Sequence, residues 1–167
     1  MRKLFLPKYH FSDINAIPGD FFSSRGIEGI ICDIDNTLIT YDDIHPTEDA
    51  MKFFATLEAQ GVKIALASNN NKTRVTTFNS SLGYPAFYSS IKPLCWRTFR
   101  KAIAAIGTSP KKTAVIGDQI FTDVLGTKFC RLGMSIMVNP IKGETNFILK
   151  RKRGIENWIL KKYRHYE

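Results

Sequence analysis

The strongest constraint on this chain is an alternation of two periodicities. Short apolar runs, "GIEGIICD" (26–33), "VKIALAS" (62–68), "AFYS" (86–89), "TAVIGD" (113–118) and "SIMVN" (135–139), recur between longer segments, 47–60, 72–82, 96–106 and 121–130, whose apolar residues fall at helical spacing. The runs are apolar almost throughout, the pattern of strands buried on both faces. Gly61, Gly83, Gly107 and Gly133 stand at or just beyond the ends of the helical segments, where a left-handed residue closes a helix. Strand–helix alternation of this kind builds a parallel sheet covered by helices, an α/β fold of five strands. Ligands of such sheets bind beyond the carboxyl ends of the strands, near the switch in strand order. The connection after the first strand reads as ordinary in length, and no loop is long enough to form a lid.

A chain of 167 residues, 44% of them hydrophobic, is expected to fold as a single domain without disulfides or a structural metal. Cys32, Cys95 and Cys130 are an odd number, lie far apart and form no C-x-x-C pair, which argues against a disulfide framework or a zinc site. A reducing, cytoplasmic setting follows. The N-terminal "MRKLFLPKYHFSD" has too short an uncharged run for a signal peptide, and no apolar run approaches membrane-spanning length.

The first strand ends in an unusual way, with "ICDIDNTL" placing Asp33 and Asp35 directly after a buried run. In an extended segment both side chains project to one side, so their charges share a small volume. That is unfavourable unless a cation or a shared proton offsets it, although turn and cap chemistry also uses Asp-Asn-Thr. The other strand ends carry polar groups too: Ser68 and Asn69 in "LASNN", Lys92 in "IKP", and Asp118 and Asp123 in "GDQIFTDV". Taken singly, each reads equally as a helix cap or a solvated side chain. Together they place acids, a hydroxyl and an ammonium along one edge. These are the parts needed for phosphoryl transfer to a carboxylate nucleophile, whose charge must be masked by a hard cation such as Mg²⁺ before it meets an anionic phosphate.

These motifs, in this order, resemble those of the haloacid dehalogenase superfamily of phosphatases over roughly residues 26–140. The resemblance implies a Rossmann-like three-layer α/β/α sandwich with a mainly parallel sheet and the first of the five strands at its centre. It also implies an aspartyl-phosphate mechanism in which Asp33 is the nucleophile and Asp35 the acid and base. Asp33, the backbone carbonyl of Asp35 and Asp118 would bind Mg²⁺, with Asp123 in support, and Ser68, Asn69 and Lys92 would orient the phosphoryl group. Thr37 would hold the loop. The combination of "DIDNTL", "SNN", "IKP" and "GDQ..TD" is similar to the capless subfamily IIIA and its YqeG group, itself similar to the phosphatidylglycerophosphate phosphatases of phospholipid synthesis.

A capless site suits a phosphate carried on something large. Lys and Arg number 24 against 15 Asp and Glu, a net charge of +9, and much of the excess lies in the tail from about residue 144, "NFILKRKRGIENWILKKYRHY". Such a segment can lie as an amphipathic helix on the anionic inner face of the cytoplasmic membrane, or pack on the sheet with its charges outward; Gly154 is expected to interrupt the helix either way. The first reading makes a membrane phospholipid the phosphorylated substrate. The alternatives are a soluble nucleotide or sugar phosphate, with a homo-oligomer partner as lid, or a non-catalytic phospho-acceptor. Asp35 and the late acids argue against the last. No base-reading motif supports a nucleic-acid partner.

Overall fold

The computed structural model describes residues 4–88, 96–143 and 147–163. Six strands form one parallel sheet: β1 (Tyr9–Phe11), β2 (Gly29–Cys32), β3 (Lys63–Ala67), β4 (Ala86–Phe87), β5 (Thr113–Gly117) and β6 (Met134–Val138), in the order β1-β6-β5-β2-β3-β4. The strand bearing "ICD" is therefore internal, hydrogen-bonded to β3 on one side and β5 on the other. The helices are α1 (Glu48–Ala59), α2 (Lys72–Asn79), α3 (Trp96–Ile106), α4 (Leu125–Phe129) and α5 (Phe147–Tyr163).

The apolar runs divide by parity, as a strand buried on both faces requires. Ile30 and Cys32 of β2, Ile64 and Leu66 of β3, and Ala114 and Ile116 of β5 face a core filled by Phe53, Phe54 and Leu57 of α1 and Val75 and Phe78 of α2. Ile31, Ala65 and Val115 face the opposite side, where Phe99, Ala102, Ile103 and Ile106 of α3 pack. These two faces and the sheet between them are the three layers. Cys32 and Cys130 are free thiols; burial pushes the Cys32 thiol well up, so it stays protonated and inert.

Three expectations need correction. The sheet has six strands and not five, because Tyr9–Phe11 pairs parallel with β6 at the edge, Tyr9 opposite Ile136 and Phe11 opposite Val138. A three-residue edge strand is too short for a period to show, and it is held by packing: the Tyr9 and Phe11 rings meet Phe21 edge to face at 4.9 and 5.3 Å. The chain between β2 and α1, residues 33–47, is longer than the roughly two to six residues of an ordinary strand–helix connection. It contains no helix.

The third correction concerns the tail. α5 runs unbroken through Gly154, although glycine costs a helix interior about 1 kcal/mol relative to alanine. The helix tolerates it because tertiary contacts anchor both sides of it. Ile159 is buried with Ile120, Val124 and Met137, a burial worth about 1.5–3 kcal/mol, and Glu156 is also buried. A Cβ at position 154 meets nothing within 4 Å. Gly154→Ala is therefore expected to raise stability by about 0.5–1 kcal/mol, read as a higher urea midpoint at unchanged slope.

Candidate active site

The site forms where β2, β3 and β5 end side by side. Asp33 extends β2 by one further ladder bond, its N–H donating to the Ile116 carbonyl at 2.9 Å. The chain then turns sharply. Asn36 takes a left-handed conformation at φ 62°, and the N–H groups of Leu38 and Ile39 donate to the Ile34 carbonyl at 2.9 and 3.2 Å. Asparagine tolerates this conformation better than most side chains. Asn36 is also clasped from beyond β6, where Ile141 N–H donates to its carbonyl at 3.2 Å and Lys142 N–H to its Oδ1 at 3.3 Å. The Thr37 hydroxyl reaches back to Asp33 Oδ2 at 3.4 Å.

Asp33 and Asp35 line one cleft yet engage different neighbours. Asp33 joins Asp118 and Asp123, all buried, with one carboxylate oxygen from each within 4.8 Å of the others. Hard oxygen donors so close together fit a divalent cation of the Mg²⁺ class, and their mutual repulsion favours one. Asp35 stands outside that cluster. Its Oδ2 accepts from Ser68 Oγ at 3.2 Å and Asn70 Nδ2 at 3.3 Å, and its Oδ1 from Arg74 Nε at 2.6 Å.

The acids after β5 are placed by an irregular turn. Asp118 follows the strand directly, and a π-helical turn, Ile120–Val124, carries Asp123 back beneath it. Such turns are rare and recur at functional sites. Asp123 Oδ2 accepts from the Gln119 N–H and the Thr122 hydroxyl, both at 3.1 Å, while the Thr127 hydroxyl donates to its carbonyl at 2.6 Å. Gly117 makes the approach possible: a Cβ there would lie 2.3 Å from the Asp123 carboxylate.

The C-terminal helix completes this side. Arg153 of α5 donates to Asp118 Oδ2 and to the Asp118 carbonyl, and at 3.3 Å to Glu156 Oε2. Glu156 Oε1 accepts the Phe121 N–H at 3.2 Å, and burial pushes its carboxyl up. Lys152 Nζ donates to Gln119 Oε1 at 2.5 Å. The cleft, about 200 Å³, is lined by Asp33, Asp35, Tyr41, Asn69, Asn70 and Gln119.

Asp33, Asp35, Ser68, Asn69, Asp118 and Asp123 thus meet at one edge of the sheet, whereas Lys92 lies outside the described residues. Asn70, Arg74, Arg153 and Glu156 carry weaker sequence signals. Arg74 sits in the first turn of α2, where the helix dipole disfavours a cation, and Glu156 is the one acid in a basic helix.

Residues 19–128 match the family model of haloacid dehalogenase-like hydrolases. The chain belongs to that family. It is 35% identical over 161 residues to the probable phosphatase YqeG of Bacillus subtilis, covering 96% of this chain and 92% of that one. This haloacid dehalogenase-like chain is also similar in fold to the cobalt-bound deoxy-D-mannose-octulosonate 8-phosphate phosphatase YrbI of Haemophilus influenzae, with TM-score 0.55, 17% identity and coverage of 82% and 89% of the two chains. A putative hydrolase of the same family from Streptomyces avermitilis gives TM-score 0.54 at 16% identity, covering 81% and 91%. Gly117→Ala must displace the Asp123 carboxylate, and a shift of about 1 Å costs on the order of 100-fold in rate. The expected result is that loss in phosphate release, with the far-ultraviolet circular dichroism of the native fold retained.

Proposed function

We propose that this haloacid dehalogenase-type phosphatase is a Mg²⁺-dependent phosphomonoester hydrolase that works through an aspartyl-phosphate on Asp33, with phosphatidylglycerophosphate as its substrate. The observation that carries the chemistry is the division of the two acids. Asp33 stands in the carboxylate cluster and Asp35 in a separate cradle of donors, so one can attack while the other handles the proton.

A carboxylate oxygen of Asp33 attacks phosphorus as the bond to the leaving oxygen breaks, and Asp35, protonated, gives that oxygen its proton. Asp35, now a carboxylate, takes a proton from water, whose oxygen attacks phosphorus as the bond to Asp33 breaks. Inorganic phosphate leaves and Asp33 is restored. Ser68, Asn69 and Lys92 orient the phosphoryl oxygens. Asp33, Asp118 and the backbone carbonyl of Asp35 would hold Mg²⁺, with Asp123 in support, and the ion's charge masks the repulsion between nucleophile and phosphate.

Two features support a lipid carrier. The chain between β2 and α1, residues 33–47, contributes no helix above the cleft, which leaves room for a phosphate on a large body. On the face of α5 turned from the sheet, Ile155 and Trp158 are 54% and 57% exposed, with Lys150, Arg151, Lys161 and Lys162 exposed around them and Lys162 Nζ 4.5 Å from the Trp158 ring. Apolar residues flanked by cations suit an anionic interface such as the inner face of the cytoplasmic membrane. No helix among the described residues is long and apolar enough to cross one.

Phosphate release should be measured on phosphatidylglycerophosphate in mixed vesicles and on a panel of soluble phosphomonoesters. The lipid is expected to be the preferred substrate; release from soluble esters alone overturns the lipid assignment. Asp33→Asn keeps the shape but removes the nucleophile, so turnover should vanish with the melting temperature preserved, and full activity in that variant sinks the mechanism. Chelation with EDTA is expected to abolish activity and added Mg²⁺ to restore it.

A further inference from the structure

We propose that Arg74 is a positioning residue for Asp35, fixing which of its two carboxylate oxygens meets the leaving group. The inference rests on the reading of Asp35 as the acid above. Arg74 occupies the third position of α2, after the cap in which Asn71 Oδ1 accepts the Arg74 N–H at 2.9 Å. A cation there faces the positive end of the helix dipole, and its side chain is only 15% exposed. Both conditions are unfavourable for an arginine kept only for solubility. Its guanidinium instead spans the nucleophile loop: Nε donates to Asp35 Oδ1 at 2.6 Å and Nη2 to the Thr40 carbonyl at 2.9 Å.

The two oxygens of Asp35 are thereby made unequal. A guanidinium can donate but never accept, so Oδ1 remains an acceptor whatever the state of the carboxyl. Oδ2 meets a hydroxyl, Ser68 Oγ, and an amide, Asn70 Nδ2, at the longer distances of 3.2 and 3.3 Å. A hydroxyl can turn from donating to accepting, so Ser68 accommodates a proton on Oδ2 where Arg74 admits none on Oδ1. Oδ2 is the oxygen that gives the proton to the leaving group. Arg74 also grips the carbonyl of Thr40, so the loop and its acid are held to α2 by one planar group with two separate bonds. A lysine, with a single point of charge on a flexible stem, cannot reproduce both.

The test compares kcat/KM for p-nitrophenyl phosphate, whose leaving group needs little protonation, with that for glycerol 3-phosphate, whose alkoxide needs a full proton. Arg74→Gln is expected to lose about tenfold or more on glycerol 3-phosphate beyond its loss on p-nitrophenyl phosphate, part of the typical 10²–10⁴-fold worth of a general acid. Inhibition by inorganic phosphate should stay within about twofold, since Arg74 acts through Asp35 and not on the phosphoryl group. Arg74→Lys should fall between wild type and Arg74→Gln, and it serves as the reporter if the glutamine variant does not fold. Asp35→Asn should show the same leaving-group dependence, and the double variant Arg74→Gln/Asp35→Asn should be no worse than Asp35→Asn alone. Equal losses on the two substrates, or weakened phosphate inhibition, overturn the positioning role while Asp35→Asn still discriminates between them. If Asp35→Asn itself fails to discriminate, the acid role falls and this inference with it.

Discussion

Buried negative charge governs this structure. Asp33, Asp35, Asp118 and Asp123 are all nearly inaccessible to water, and all cluster at the carboxyl ends of adjacent parallel strands. Among the described residues two guanidiniums answer them, and they come from opposite layers. Arg74 arrives from α2 on one face of the sheet and pairs with Asp35, while Arg153 arrives from α5 on the other and pairs with Asp118. Removing one partner of a buried pair typically costs about 3–5 kcal/mol, so each of these helices is tied to the acids as firmly as to the apolar core.

The acids then need backbone that can carry them. Gly117 lets Asp123 fold back against the strand it follows, and the π-helical turn supplies the extra residue that aims the carboxylate inward. Asn36 does the equivalent work after β2, turning the chain back directly after Asp35. Regular strand and helix geometry gives way at the two points where the buried acids gather, which is where consistency between local preference and fold is expected to fail.

The central strands, the order of elements and the edge on which the acids gather were legible in the sequence because period and polarity change together at each strand end. What was not legible depended on partners distant in the chain. β1 is too short to show a period and exists through its pairing with β6. Arg153 looks like a member of a solvated basic run, and Arg74 like an ordinary helix residue, until the fold brings Asp118 and Asp35 against them, 35 and 39 residues away. Gly154 looked like a helix breaker, yet the anchoring of α5 by Arg153, Glu156 and Ile159 outweighs a penalty of about 1 kcal/mol. The left-handed turn at Asn36 was equally hard to see, because the residues before it also satisfy a strand.

The clasp on Asn36 has a consequence for how the enzyme comes into being. The bend after Asp35 is held by Ile141 and Lys142, which follow the last strand of the sheet, and Asp118 is held by a helix later still. A chain emerging from the ribosome presents Asp33 well before the restraints that shape its loop, since Lys142 lies 106 residues beyond Asn36. Local order beside Asp33 thus waits on long-range contacts, and a product cut before residue 141 keeps that acid without the clasp on its loop.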